Sequence, residues 1–285
     1  MATIREIRRR IKSVQNTAKV TKAMEMVAAS KMRRAQERTI AARPYAEKMQ
    51  QVLADLAAQH RSGEEVHPLL QQREVNRIAL SHITPDRGRC GGLVAKINRS
   101  VASFILEQNV PLPTVAVGRK GRDFMVRSGQ EVRAEFTQLG DRPSIVDIQP
   151  ITHIVIDDYT NGLIDEVYVS YTRFINTMNQ RPVLWRLLPI EPAAIEPGQN
   201  VEYIYEPSPA EVLAELLPRF VEKELYHVIL EAVASEQSAR MVAMRSATDN
   251  AKEIIEELTL TYNKVRQEMI TKELLDIVGG VAALG

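Results

Sequence analysis

The sequence predicts an α/β protein in which two long helices, one at each end, flank a central segment of alternating strands and helices. Three observations carry this. Glycine is absent from residues 1–62 and 199–278, and nine of the thirteen glycines lie between Gly88 and Gly198. Each glycine-free stretch carries an apolar stripe at helical spacing. The middle alternates β-type runs with helical ones. Glycine and proline punctuate structure, so their absence predicts uninterrupted elements.

In the first stretch Ile4, Ile7, Ile11, Val14 and Ala18 step by 3 and 4, as a heptad seam does. The stripe is then expected to drift to Val20, Met24, Val27, Ala28 and Met32, as on a straight helix. It resumes at Ala42, Tyr45, Met49, Val52 and Leu56, with Pro44 expected to kink or interrupt it. About 57 helical residues would reach ~85 Å, more than a small domain's diameter.

The middle segment begins with a strand at Arg77–Ile83 and a Gly-rich turn. Helical spacing follows through Ile97, Val101, Phe104 and Ile105. Thr114–Gly118 reads as a strand, residues around Phe124 and Met125 as a short helix, and Val132–Phe136 as a strand. Ile145–Tyr159 reads as helical despite Pro150, and Val167–Tyr171 and Val183–Leu188 as strands. This alternation predicts a sheet with parallel pairs and helices on its faces.

The last stretch starts at Pro207-Ser208-Pro209, where Ser208 is a candidate helix cap. Its stripe runs through Leu213, Leu216, Phe220, Leu225, Val228 and Ile229, and later Ile254, Leu258, Tyr262, Val265 and Met269. Pro218 marks an early kink, and Gly279-Gly280 a stop. Two such stripes predict antiparallel pairing of residues near 4–56 and 210–278. The ends also differ in charge. Residues 1–43 hold twelve bases against three acids, and 210–278 hold thirteen acids against eight bases, within a net charge of +1.

Composition narrows the chemistry. Cys90 is the single cysteine, which excludes an internal disulfide and a four-cysteine zinc site. The five histidines form no HExxH pair, no uncharged apolar run approaches a membrane span, and no signal core opens the chain. A soluble intracellular protein is the expectation. The turn Asp86-Arg87-Gly88-Arg89-Cys90-Gly91-Gly92-Leu93 lies where α/β folds often place phosphate, but it matches neither GxGxxG nor GxxxxGK[ST]. Gly118-Arg119-Lys120-Gly121-Arg122 lacks the same elements. The basic N-terminal helix has one aromatic, Tyr45, before residue 60, which argues against single-stranded nucleic acid. The remaining reading is a positive helix facing an acidic protein surface. The acid pairs Asp157-Asp158 and Asp165-Glu166 read as solvated loops rather than a metal site.

Both ends also resemble one family. The segment Ile4-Arg5-Glu6-Ile7-Arg8, then Ile11-Lys12-Ser13-Val14-Gln15-Asn16-Thr17 and Thr21-Lys22-Ala23-Met24-Glu25-Met26-Val27-Ala28-Ala29-Ser30-Lys31-Met32, is similar to the γ subunits of F-type ATP synthases, the central rotor shaft. So are Ser235-Glu236, Ala239-Arg240-Met241, Ala247-Thr248 and Asn250-Ala251, with Tyr262-Asn263, Arg266-Gln267 and Ile277-Val278-Gly279-Gly280. The Asp86–Leu93 turn matches the family's central motif. It departs at Pro85, where serine is usual, and at Arg89, where an apolar residue is usual. The cysteine pair of plant-plastid members is absent, and no transit peptide precedes the first motif, which points to a bacterial form.

The resemblance implies a long antiparallel coiled coil of N- and C-terminal helices plus a central Rossmann-like α/β domain. The parts would be 1–62 and 208–285 as shaft helices and 75–200 as the α/β domain. It implies no catalytic, cofactor or metal residues in this chain. The partners it implies are the α and β subunits of a hexamer, the ε subunit and a membrane ring of c subunits, with no nucleic acid. The carried-over contact residues are Met24, Arg266 and Gln267 for coupling to β, and Tyr205, Glu206 and Ser208 on the c-ring side. Val278, Val281 and Ala282 would form an upper bearing. Met24 is expected near the level of Arg266. A coiled-coil scaffold and an α/β nucleotide-binding enzyme with helical extensions are the alternatives.

Overall fold

The computed structural model describes residues 3–59, 67–191 and 205–284, apart from the side chains of 42–43, 46–47, 57–59 and 280–284. Helix α1 spans Ile4–Gln59. Strand β1 (Ile78–Ile83) leads to α2 (Leu93–Glu107), β2 (Thr114–Val117), α3 (Arg119–Arg127) and β3 (Val132–Phe136). Then come α4 (Ile145–Thr160), β4 (Glu166–Phe174), β5 (Gln180–Leu188) and α5 (Pro209–Leu284). A 3-10 turn at Pro68–Leu70 had no sequence expectation. The chain divides into two compact units: Met1–Ala28 with Met241–Gly285, and Ala29–Arg240.

In the larger unit the sheet order is β3-β2-β1-β4-β5. β1 pairs in parallel with β2 and β4, β2 pairs in parallel with β3, and β5 closes the edge antiparallel to β4. β1 is central and buried along its whole length. Its residues alternate between faces. Ala79 and Ile83 join Val115, Val167 and Val169 under Ile148, Ile151 and Val155 of α4 and Leu217, Val221 and Leu225 of α5. Ile78 and Leu80 face Val101 of α2 and Met125 of α3. Helices therefore cover both faces, as parallel strands require. The α4 helix starts with a capping box, Ser144 and Asp147 each bonding the other's backbone N–H.

Buried His82 bonds Ser170 of β4 through Nδ1 (2.6 Å) and Asn98 of α2 through Nε2 (3.1 Å). It thereby ties α2 to the sheet. Burial pushes the imidazole down to about 4, the Asn98 hydrogen bond opposing.

Three expectations need correction. Pro44 lies inside α1 without interrupting it. Core residues Met49, Leu53 and Leu56 hold the turns beyond it, so packing offsets the lost hydrogen bond. Gly279-Gly280 does not stop α5, which continues to Leu284. A glycine disfavours a helix by about 1 kcal/mol but does not forbid it. The acid pairs are not simply solvated loops, although Asp165 does lie in the bend before β4 and Asp157 is exposed. Asp157 and Asp158 lie on α4, and Asp158 binds Arg133 of β3 at 3.2 Å. Asp165 accepts from the backbone N–H of Asn76 and Arg77, and Glu166 binds Arg186 of β5.

Candidate functional site

In the smaller unit α1 and α5 run antiparallel. Arg8 donates to the Tyr262 hydroxyl at 2.8 Å, Thr21 shares a 2.7 Å hydrogen bond with Thr248, and Arg245 donates to Glu25 at 3.1 Å. One helix advances as the other retreats. The seam of α1 is Ile4, Ile7, Ile11, Val14, Ala18, Thr21, Glu25 and Ala28, each buried or half-buried. The expected drift is met only in part: Ala28 is buried and Met24 and Met32 are half-buried, but Val20 and Val27 are more than half exposed. A strict heptad persists because two of its positions are polar, and apolar counting passed over them. The facing stripe on α5 is Met244, Thr248, Ala251, Ile255, Leu258, Tyr262 and Val265, also in steps of 3 and 4.

Glu25 is 5% exposed. The Lys22 ammonium, hydrogen-bonded at 3.0 Å, holds its carboxyl below the usual range; burial opposes this, and Arg245 adds to it. The ion pair runs against the overall charge asymmetry, its acid lying on the basic helix and its base on the acidic one. Net charge of a segment did not foretell its local pairing.

The register puts Val265 opposite the first turn of α1, so among the described residues α5 continues to Leu284 beyond that partner. Arg266 and Gln267 are exposed, as is every residue from there to Gly279. Met269, expected in the seam, is 45% exposed, because α1 has already ended. Ile270, Leu274, Leu275, Ile277 and Val278 also lie open to solvent. Val281 and Ala282 belong to the same helix, but their side chains lie outside the described residues. Half-buried Met24 adjoins the Glu25–Arg245 level. It is about 30 Å along the helix from the level of Arg266, not beside it.

In the larger unit, Tyr205, Glu206 and Ser208 precede α5. Ser208 caps it, accepting from the Glu211 N–H at 3.3 Å and donating to the Glu211 carboxylate at 3.1 Å. Glu206 is exposed, and Tyr205 packs against the core.

The Asp86–Leu93 turn sits at the C-terminal ends of parallel strands, where open α/β sheets bind ligands. Here α5 occupies that place. Arg240 donates to the carbonyls of Arg87 (3.4 Å) and Gly88 (3.3 Å) and to Glu236 (2.6 Å), and Ala239 packs on Cys90 and Leu93. Asp86, rather than holding a ligand, accepts from the backbone N–H of Arg119 and Gln138, both at 2.9 Å. Cys90 is 1% exposed, and burial pushes its thiol up, the reverse of an activated nucleophile. Among the described residues, a cavity beside Thr84, Gly118, Thr172 and Glu236 holds about 50 Å³. Small-molecule pockets usually need roughly 300 Å³ or more.

Sequence reasoning also missed Asp141. Its carboxylate takes Lys31 of α1 at 2.5 Å and Gln237 of α5 at 2.8 Å. A shallow recess of about 380 Å³, lined by Lys31, Arg34, Leu139, Gly140, Asp141 and Arg142, lies beside it. The lone signal in the sequence was the surplus of bases before residue 43. Nothing marked a loop acid more than a hundred residues away as a partner. Among the described residues, no helix is long and apolar enough to cross a membrane.

A sequence profile described as ATP synthase matches residues 3–284. The ATP synthase gamma chain of Dehalococcoides mccartyi is 63% identical over 284 residues, covering 100% of both chains. That of a Roseiflexus species is 53% identical over 292 residues, covering 100% of this chain and 99% of the relative. Among solved structures, a chain of Euglena gracilis mitochondrial ATP synthase (OSCP/F1/c-ring, rotational state 3) superposes with a TM-score of 0.69 at 19% identity. It covers 99% of this chain and 94% of its own. A chain of the Tetrahymena thermophila mitochondrial ATP synthase central stalk and c-ring gives 0.62 at 23% identity, covering 80% and 99%. At those identities the structures speak for the fold. The profile match and the bacterial relatives, both running the length of the chain, decide the family: the chain belongs to the ATP synthase γ chains.

Proposed function

We propose that this γ chain is the non-catalytic central stalk of a proton- or sodium-translocating F-type ATP synthase. It turns within the hexamer of α and β subunits and couples ion flow through the c-ring to ATP synthesis. It contacts ε and is present in one copy per complex, peripheral on the cytoplasmic face of a bacterial plasma membrane. In this reading residues 1–62 and 208–285 act as the shaft helices and 75–200 as the α/β domain near the ring.

The observation that carries the reading is the heptad-paired α1 and α5, with α5 running on past the start of α1 and, among the described residues, unaccompanied there. A helix with one buried stripe leaves its other faces to partners. Arg266 and Gln267 suit an angle-dependent grip: arginine keeps its charge and binds a carboxylate through two parallel bonds, and glutamine adds an uncharged donor and acceptor. Both would engage an acidic loop of β, with Met24 at a second, lower level. Val278, Val281 and Ala282 would line a bearing without deep locks. Tyr205, Glu206 and Ser208 would meet polar loops of the ring. In this reading the exposed bases of α1, Arg34 among them, would face an acidic protein surface rather than nucleic acid.

The test is a double substitution, Arg266→Ala with Gln267→Ala, in the reconstituted complex. Native mass spectrometry should show one copy of this chain per hexamer in wild type and variant alike, with ATP-driven ion pumping and ATP synthesis reduced in the variant. Unchanged coupled rates would make the pair ordinary surface. Two-fold self-association without a hexamer would favour a scaffold.

A further inference from the structure

The seam of the antiparallel pair is uneven in what it specifies. Ile7, Ile11, Val14 and Ala18 meet Tyr262, Leu258, Ile255 and Ala251 by the register of the hydrogen-bonded pairs. Apolar layers of this kind are nearly interchangeable. Sliding one helix by seven residues sets Ile11 against Ala251 or Val265 and still buries apolar against apolar. Taken by themselves, such layers supply affinity and leave register open.

One level differs. Thr21 and Thr248, 9% and 4% exposed, share a 2.7 Å hydrogen bond inside the seam. Each hydroxyl also lies against a carbonyl of its own helix, Ala18 at 3.1 Å and Met244 at 2.8 Å. One turn on, Glu25 gives one oxygen to Arg245 (3.1 Å) and the other to Lys22 (3.0 Å). The two cations are largely solvated, while the carboxylate is not.

We infer that Thr21, Thr248, Glu25 and Arg245 form a polar clasp that fixes the axial register of α1 against α5. The two halves of the clasp exclude different errors. A slip in one direction sets Thr21 against Ile255 and Thr248 against Ala28, but it brings Lys252 to the level of Glu25. The ion pair alone tolerates that slip, and the threonine pair forbids it. The opposite slip sets Thr21 level with Met241 and Thr248 level with Val14, and carries Arg245 seven residues past Glu25. Both halves forbid this one. A buried polar layer is weaker than a well-packed apolar one of the same shape, and register is its best-attested return.

The test uses the full chain, with Cys90 retained as a buried blank and the Cys90-only chain as control. Ile11→Cys is combined with Leu258→Cys for the native register, or with Val265→Cys or Ala251→Cys for the two slips. Disulfides formed under mild oxidation are quantified by mass spectrometry after digestion, with helicity checked by circular dichroism. With the clasp intact, the 11–258 product should exceed either slipped product by roughly a hundredfold, since a slip strands a buried polar group. Replacing the clasp with Thr21→Val, Thr248→Val, Glu25→Leu and Arg245→Leu should bring both slipped products within about tenfold of the native one. The milder pair Thr21→Val with Thr248→Val changes little volume and guards against misfolding of the larger variant. It should release the 11–265 product alone, because only that slip gives Glu25 a new cation. If both variants still yield 11–258 alone, or the milder one releases 11–251, the clasp does not set the register.

Discussion

Helix α5 does two different jobs on either side of residue 240. Before it, Val228, Ile229 and Leu230 are buried in succession, and Ala234, Ser235, Gln237, Ser238 and Ala239 follow. Beyond it, burial thins to a single stripe at Met244, Thr248 and Ala251, and then to half-buried Ile255, Leu258, Tyr262 and Val265. A helix buried all round is a structural plug, and one buried along a stripe keeps faces for partners. The first stretch fills the crevice in which a doubly wound sheet would hold a ligand. The second pairs with α1 and leaves its outer surface free. A nucleotide-fold outline therefore says little about nucleotide chemistry until the occupant of its crevice is known.

The sharpest way to break this comparison is at the glycines of the crevice. Gly118 has φ +93°, and a Cβ there would collide with the Thr84 carbonyl. Gly118→Ala should cost more than about 4 kcal/mol and prevent cooperative folding of the larger unit. Gly88, where a Cβ meets open space, should accept alanine within about 1 kcal/mol. A phosphate cradle at the turn would reverse the emphasis, with Gly88→Ala abolishing ATP binding. Denaturation followed through the single tryptophan, Trp185, and ATP titration of the full chain separate the outcomes.

A somewhat smaller effect belongs to His82. Its folded pKa is depressed to about 4 from 6.5, so the unfolded chain binds the proton first. The stabilisation is fully present above pH 6.5 and is lost progressively as pH falls toward 4, by roughly 3 kcal/mol in all. Unfolding of the larger unit monitored at Trp185 should follow that window, and His82→Gln should flatten it. A wild-type profile flat between pH 7.5 and 4 would contradict the buried, neutral imidazole.

The smallest effect lies in the seam. The folded pKa of Glu25 is lowered, so its contribution is present above the unfolded carboxylate value and lost as pH falls through the folded one. At neutral pH, Glu25→Gln should speed amide exchange over residues 18–28 and 244–251 by roughly tenfold. The gap between wild type and variant should close as pH falls below the usual carboxylate range, through the lowered folded value. A gap that persists in acid would remove the charge from the explanation.

These contrasts also show what was legible in the sequence. The glycine gaps marked both long helices in outline, although α5 begins ten residues into its gap and runs past Gly279-Gly280 to Leu284. The strands were legible because Ile78–Ile83 and Thr114–Val117 are central and apolar. The seam beyond Ala18 was not, since Thr21 and Glu25 are polar at heptad positions and only a partner helix reveals their burial. The plugged crevice was half legible. The broken phosphate motif argued against a ligand, but nothing local said that Arg240, some 150 residues on, would cover Arg87 and Gly88. The family's contact residues are surface residues whose meaning depends on chains outside this one. Periodicity could therefore place Arg266 on an outer face without naming its partner.

The most direct measurement of the central claim follows this chain inside its complex. A fluorescent rod attached at Lys96→Cys, an exposed position on α2, reports the chain's orientation while the hexamer is fixed to a surface and supplied with ATP. The account predicts unidirectional rotation of the rod in step with ATP turnover, stopped by a crosslink between this chain and β. Sustained ATP hydrolysis with a stationary rod would contradict it.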